Sequence, residues 1–140
     1  MADIFHDFKV QASPSRVFAA ISSPSGLDQW WTKTSAGRPR LGAEYDLGFG
    51  PGYGWRAKVT RCEPDAEFEL ELVDAHEDWL GTRVGFELAG DGDATTVRFR
   101  HTGWPQANAH YRQSSYCWAM YLRIMQRAVV HGESVPYEER

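Results

Sequence analysis

Apolar and polar positions alternate with a period of two near the start of the chain, give way to helical spacing, alternate again through the middle, and end in one long helical stretch. Residues 3–11 set Ile4, His6, Phe8 and Val10 against Phe5, Asp7, Lys9 and Gln11. This is a strand whose two faces both carry an aromatic, so its inner face stays open. Ser13-Pro14 then starts a helix, because serine caps well and proline fits the first helical position. Val17, Phe18 and Ile21 form its apolar stripe, and Ser23-Pro24 interrupts it. A second short helix carries Leu27, Trp30 and Trp31, and residues 32–40 are polar and loop-like.

Strands follow at 43–49, 55–62, 67–73, 82–89 and 95–102. In the second of these Trp55, Ala57 and Val59 share a face. In the third, Phe68, Leu70 and Leu72 alternate with Glu67, Glu69 and Glu71, which predicts one packed and one solvated face. Val84, Phe86 and Leu88 point inward in the next strand, Asp91-Gly92-Asp93 is a hairpin turn, and Val97, Phe99 and His101 line one face of the last strand. Residues 107–131 then turn helical, with Trp118, Leu122, Met125 and Val129 on one stripe and Gly132 as the stop.

One strand, two short helices, five strands and a long helix describe an α+β domain. The meander must bury one face, and the only long amphipathic element available is the last helix. A twisted antiparallel sheet of six strands curved around that helix is the economical solution. The 140-residue length suits one domain, placed at residues 1–134 with a loose tail over 135–140. No apolar run reaches the roughly 20 residues of a membrane span, and the first residues lack a signal-peptide core. The expectation is a soluble cytoplasmic protein. Cys62 and Cys117 sit in no metal-binding spacing and are expected to be reduced thiols.

Composition changes this picture in two ways. The net charge of −4 is unevenly spread: residues 63–93 hold eleven acidic residues against one basic residue, Arg83. That stretch would repel a phosphate backbone, and the basic remainder contains no Lys/Arg-rich run, so nucleic acid is not an expected partner. Six Trp, six Tyr and seven Phe make 14% aromatic residues, enough to suggest an aromatic-lined cavity.

Three segments, ASPSRVFAAISSPSGLDQWW (12–31), LGAEYDLGFGPGYGWRAKVTRCEPDAEFELEL (41–72) and TRVGFELAGDGDATTVRFRHTGWP (82–105), together with Trp118 on the last helix, carry a family resemblance. Over residues 4–132 the chain resembles the START-like, or SRPBCC, superfamily, in the branch named after the activator of the heat-shock-protein-90 ATPase. The resemblance implies the helix-grip fold. It also implies a deep apolar cavity between sheet and helix, used in the superfamily for lipids, polyketides, hormones and other hydrophobic small molecules. A minority of such proteins are enzymes, among them aromatase/cyclases, and the eukaryotic namesake helps a chaperone hydrolyse ATP. Two segments depart from the family pattern and are candidate specificity elements: the glycine- and aromatic-rich hairpin tip, residues 48–54, and the acidic DAHEDW, residues 74–79.

The candidate ligand-binding residues are Trp30, Trp31, Trp55, Phe68, Phe86, Phe99, His101, Tyr111, Trp118 and Leu122. Phe49, Tyr53 and Trp104 are candidates for the cavity mouth. Trp30 and Trp31 are adjacent, so one is expected in the core and the other at the entrance. The GxGxGxG run lacks the following helix and GK[ST] of a phosphate loop and reads as a glycine-loosened hairpin. There is no HExxH, and His76-Glu77-Asp78 lacks a second histidine at ligand spacing, so neither metal nor cofactor is expected. Cys117 is expected to be buried and inert.

Three functions stay open. The first is non-catalytic binding of a hydrophobic, aromatic, polyketide-like or lipid-like small molecule. The second is a cyclase or hydratase with His101 as acid/base and Tyr111 or Tyr116 assisting. Against it, a buried histidine more often bonds within the core. The third is a protein-binding module for a chaperone partner, working through charged surface. A homodimer is compatible with a domain of this size.

Overall fold

Serine and asparagine caps fix where the helices begin, and alternation fixes which strand faces turn inward. The computed structural model describes residues 2–140. The chain runs through β1 (Ala2–Val10), α1 (Pro14–Ser22), α2 (Pro24–Leu27), β2 (Thr34–Ala36), β3 (Glu44–Gly48), β4 (Gly54–Glu63), β5 (Glu67–Asp74), β6 (Arg83–Asp91), β7 (Ala94–Trp104), α3 (Ala109–His131) and a 3₁₀ turn at Tyr137–Glu139. The Ser13 side chain accepts from the Arg16 amide, Ser23 from Gly26, and Asn108 from Tyr111, each satisfying one of the free N–H groups at a helix start. Gly132 closes α3 at φ +67°, a left-handed cap.

The strands form one curved antiparallel sheet in the order β1-β7-β6-β5-β4-β3-β2. It has seven strands where alternation predicts six. The extra strand, β2, is too short and polar to show a period. It pairs Thr34 with Gly48, where a Cβ would lie 2.5 Å from Thr34 Oγ1, so glycine permits the close approach. Trp30 and Trp31 lie beyond α2, in a turn held by their amides donating to Leu27 O.

Helix α3 crosses the inner face and is clasped to edge strand β1. Gln126 Nε2 donates to Lys9 O at 2.8 Å, Tyr111 Oη to Asp3 O at 2.6 Å, and His6 Nε2 contacts Ser115 O at 3.2 Å. The predicted stripe of Trp118, Leu122, Met125 and Val129 is buried. Ile4 and Val10 resolve the inner face of β1, leaving Phe5 65% exposed.

Glu69 departs from the solvated face expected of β5. It is only 4% exposed. Arg100 Nη2 and Nε reach its Oε2 at 2.8 and 3.1 Å, and Thr60 Oγ1 donates to Oε1 at 2.8 Å. Gly85 makes room, since a Cβ there would sit 2.7 Å from Arg100 Cζ. Glu67, Glu69 and Glu71 of the acidic stretch are thus paired within the fold by Arg61, Arg83 and Arg100.

Residues 135–140, expected to trail loosely, fold back instead. Tyr137 Oη donates to Phe49 O at 2.9 Å, and Arg140 donates to Asp28 O at 2.7 Å and Thr32 O at 3.2 Å. Among the described residues no helix is long and apolar enough to cross a membrane.

Candidate functional site

Register brings three connections to one end of the sheet. Leu47 pairs with Trp55, Arg56 with Asp74, and Arg83 with Thr102. The β3–β4 tip, the β5–β6 loop and the start of α3 therefore meet there. A cavity of about 430 Å³ opens between them, within the range usual for small-molecule sites.

One side of the cavity is aromatic: Trp31, Phe49, Tyr53, Trp55 and Trp79. Phe49 packs on Trp55 and Trp31 at ring distances of 5.1 and 5.6 Å, and Trp55 on Trp79 at 5.2 Å. The hairpin tip turns at Gly50 and Gly52, whose φ values of +115° and +80° require glycine. The facing wall is α3. Residues 110, 113, 114, 117, 118 and 121 follow helical spacing and present His110, Gln113, Ser114, Cys117, Trp118 and Tyr121. Tyr137 closes the rim from the returning tail. The site is a slot, flat and apolar on one side, with a polar stripe on the other. A second hollow of equal volume, along β2, is lined by short and polar residues and offers no such wall.

The predicted site residues divide. Trp31, Phe49, Tyr53, Trp55 and Trp118 border the cavity. Trp30, Phe68, Phe86, Phe99 and Leu122 are buried in the core behind it, with the Trp30 indole donating to Ala20 O at 2.9 Å. Trp30 and Trp31 split as adjacent residues must, yet both are buried, their rings 6.1 Å apart. Trp104, expected at the mouth, is fully buried against His101, with rings 4.9 Å apart. Tyr111 is spent on its bond to Asp3, and Tyr116 is 78% exposed.

His101 lies wholly inside the protein and outside the cavity lining. Trp118 Nε1 can only donate, and does so to His101 Nδ1 at 3.0 Å. The proton is thereby placed on Nε2, which donates to Thr82 Oγ1 at 2.8 Å, and Thr82 passes its own proton to Trp79 O at 2.6 Å. Burial, helped by nearby His110, pushes the His101 pKa down to about 3. The ring is neutral with both nitrogens occupied, so it has no lone pair or proton to offer a ligand. Its partners are tryptophan and threonine side chains, which the strand pattern does not show.

Sequence reasoning missed Trp79, His110, Gln113, Ser114, Cys117, Tyr121 and Tyr137. The α3 residues share one helical face, a signal available in the spacing but hidden by the stronger apolar stripe beside it. Cys117 is half-buried at the cavity wall rather than sealed in the core. The indole N–H groups of Trp79 and Trp104 are buried without an acceptor among the described residues. His110 Nδ1 also lies 2.9 Å from Asp78 Oδ2.

A family model described as "Activator of Hsp90 ATPase homolog 1-like protein" matches residues 11–129. Among solved structures, the Aha1 dimer from Colwellia psychrerythraea is similar at 28% identity, TM-score 0.85, over 96% of this chain and 100% of that one. CalU16 from Micromonospora echinospora is similar at 19% identity and TM-score 0.75, over 93% of this chain and 77% of that one. DynU16, a protein in the dynemicin biosynthetic locus, is similar at 20% identity and TM-score 0.78, over 96% of this chain and 50% of that one. The latter two likenesses speak to the fold alone. No curated protein matches the sequence.

Proposed function

The chain belongs to the activator of Hsp90 ATPase homolog 1-like family, and on that premise we propose that it binds a flat, hydrophobic small molecule carrying at least one oxygen. The observation that carries this reading is the slot of about 430 Å³ with aromatic rings on one side and Gln113, Ser114 and His110 on the other. Planar rings stack on planar ligands and the polar stripe orients them. The polar stripe of His110, Gln113 and Ser114 favours a ligand bearing a carbonyl or hydroxyl. Placement of a fold relative in a biosynthetic locus supports the same class. The bonds of His101 to Trp118 and Thr82 support binding over an acid/base role.

A thermal-shift screen with planar phenolics, polyketide-like aromatics, fatty acids and sterols tests the proposal. Saturation at about a hundred times the dissociation constant adds about 2.7 kcal/mol, or roughly 5–10 °C in Tm. A planar oxygenated class should stand out. Filling the slot with Cys117→Trp, at a half-buried wall position, should abolish the shift while far-UV circular dichroism stays unchanged. No shift from any class, or a shift unaffected by that variant, overturns the reading. We carry the homodimer over from the Colwellia relative as part of the proposal, and light scattering at micromolar concentration reads it directly.

A further inference from the structure

Two histidines and an aspartate meet at the rim of the slot from segments that are far apart in sequence. His76 and Asp78 lie in the β5–β6 loop, and His110 in the first turn of α3. One donor atom from each lies within 4.8 Å of the others. His110 Nδ1 is 2.9 Å from Asp78 Oδ2, and His76 Nδ1 is 3.9 Å from the same oxygen. The two imidazoles stand edge to face with centroids 4.8 Å apart.

We propose that His76, Asp78 and His110 form a binding site for a divalent transition-metal ion of the zinc class, open towards the slot. The donor set is two imidazoles and one carboxylate, which suits zinc, cobalt, nickel or ferrous iron and not magnesium or calcium. A tetrahedral ion with bonds of about 2.0–2.2 Å needs donors roughly 3.3–3.5 Å apart. The spacings of 2.9 and 3.9 Å bracket that figure, and His76, half-exposed, is free to close the longest gap by a side-chain rotation.

The scaffold is fixed on both sides. The loop is folded by Trp79 and Leu80 amides donating to His76 O, each at 2.9 Å, and is pinned by the buried Trp79 indole. The Asp78 amide donates to His76 Nδ1 at 3.1 Å, so an ion bound at that nitrogen displaces this hydrogen bond and the amide turns to solvent. On the other side the Asn108 cap sets the start of α3. The positive end of the helix opposes a cation there, and the Asp78 carboxylate offsets it. An ion bound at His110 Nδ1 replaces the hydrogen bond to Asp78, and the ring proton is carried on Nε2.

Three protein donors leave at least one coordination position free, the pattern of zinc sites that bind exchangeable ligands. His110 also lines the slot, so the free position borders the space assigned to the small molecule. The metal site does not depend on that assignment, since its three donors are present whether or not an organic ligand binds.

The test is titration of the full chain with Zn²⁺ alone by calorimetry and with Co²⁺ alone by visible absorption, at about pH 7.5. The expected result is one ion per chain with a dissociation constant on the order of micromolar or tighter. His76→Ala, whose side chain is half-exposed and makes no core contact, and Asp78→Asn should each weaken binding by about tenfold or more. His131→Ala, outside the cluster, should leave it unchanged. Absence of saturable one-to-one binding, or binding that survives both His76→Ala and Asp78→Asn, overturns the site. Neither result bears on the organic-ligand screen, which is run in the presence of a chelator.

Discussion

The burial of His101, with His110 nearby, makes stability depend on pH in a way that can be calculated. In the folded chain its pKa lies at about 3, against 6.5 for the free side chain. The unfolded chain therefore takes up a proton that the folded chain refuses over the whole interval between those values. Stability from this residue is complete above about pH 6.5, falls as pH drops, and is exhausted near pH 3. At about 1.4 kcal/mol per pKa unit the full loss is roughly 5 kcal/mol, and the part already lost at pH 5 is about 2 kcal/mol. That is a large share of the 5–15 kcal/mol typical of a domain. Other groups also titrate, so the measurement compares wild type with His101→Gln, which keeps an acceptor for Trp118 and a donor for Thr82 but carries no ionisable ring. Urea unfolding at about pH 7.5 and 5 gives ΔG for both proteins. The wild type should lose about 2 kcal/mol more than the variant over that step. Equal losses in the two proteins, or a ring resonance of His101 titrating near pH 6.5, would refute the assigned tautomer and the sealed environment behind it.

Other consequences are as direct. Trp118→Phe removes the donor to His101 Nδ1 and should cost about 2–4 kcal/mol through the orphaned nitrogen and the lost ring volume, read by the same urea titrations. Gly85→Ala should cost about 1–3 kcal/mol, because the new methyl displaces the Arg100 guanidinium from buried Glu69; a neutral result would mean that the pair relocates freely. Deleting residues 135–140 removes the Tyr137 bond to Phe49 and the Arg140 bonds to Asp28 and Thr32. Melting temperature should fall by only a few degrees, while dissociation of a bound small molecule, followed by tryptophan fluorescence, should accelerate several-fold.

Much of the fold was legible because its instructions are local. Ser13-Pro14, Asn108 and Gly132 punctuate the helices by satisfying backbone groups within a few residues, and alternation through β5, β6 and β7 turns Phe68, Phe86 and Phe99 inward. What failed to show were features held by distant partners. β2 exists because Thr34 finds Gly48 across a turn. Glu69 reads as a surface residue until Gly85 and Arg100 cover it from the neighbouring strands. The tail looks unstructured because its anchors are backbone carbonyls of Asp28, Thr32 and Phe49, which leave no mark in side-chain pattern.

The site was harder for a related reason. Aromatic excess announces that a cavity is affordable, but it does not say which rings wall it and which fill the volume behind. Phe99 and Trp118 are both inward on periodicity, yet of the two only Trp118 reaches the slot, where α3 also presents Ser114, Cys117 and Tyr121. Trp79 illustrates the limit most clearly. It sits in an acidic loop with no period to place it, yet it packs within 4.5 Å of the His101 ring and stacks along Trp118 at 5.7 Å. By sinking that indole into the core, the DAHEDW segment is drawn over the end of α3, and His76 and Asp78 are carried to His110. The acidic segment named as a candidate specificity element thus supplies part of the slot's rim, combining an aromatic floor shared with the core and a polar edge assembled across 32 residues of sequence.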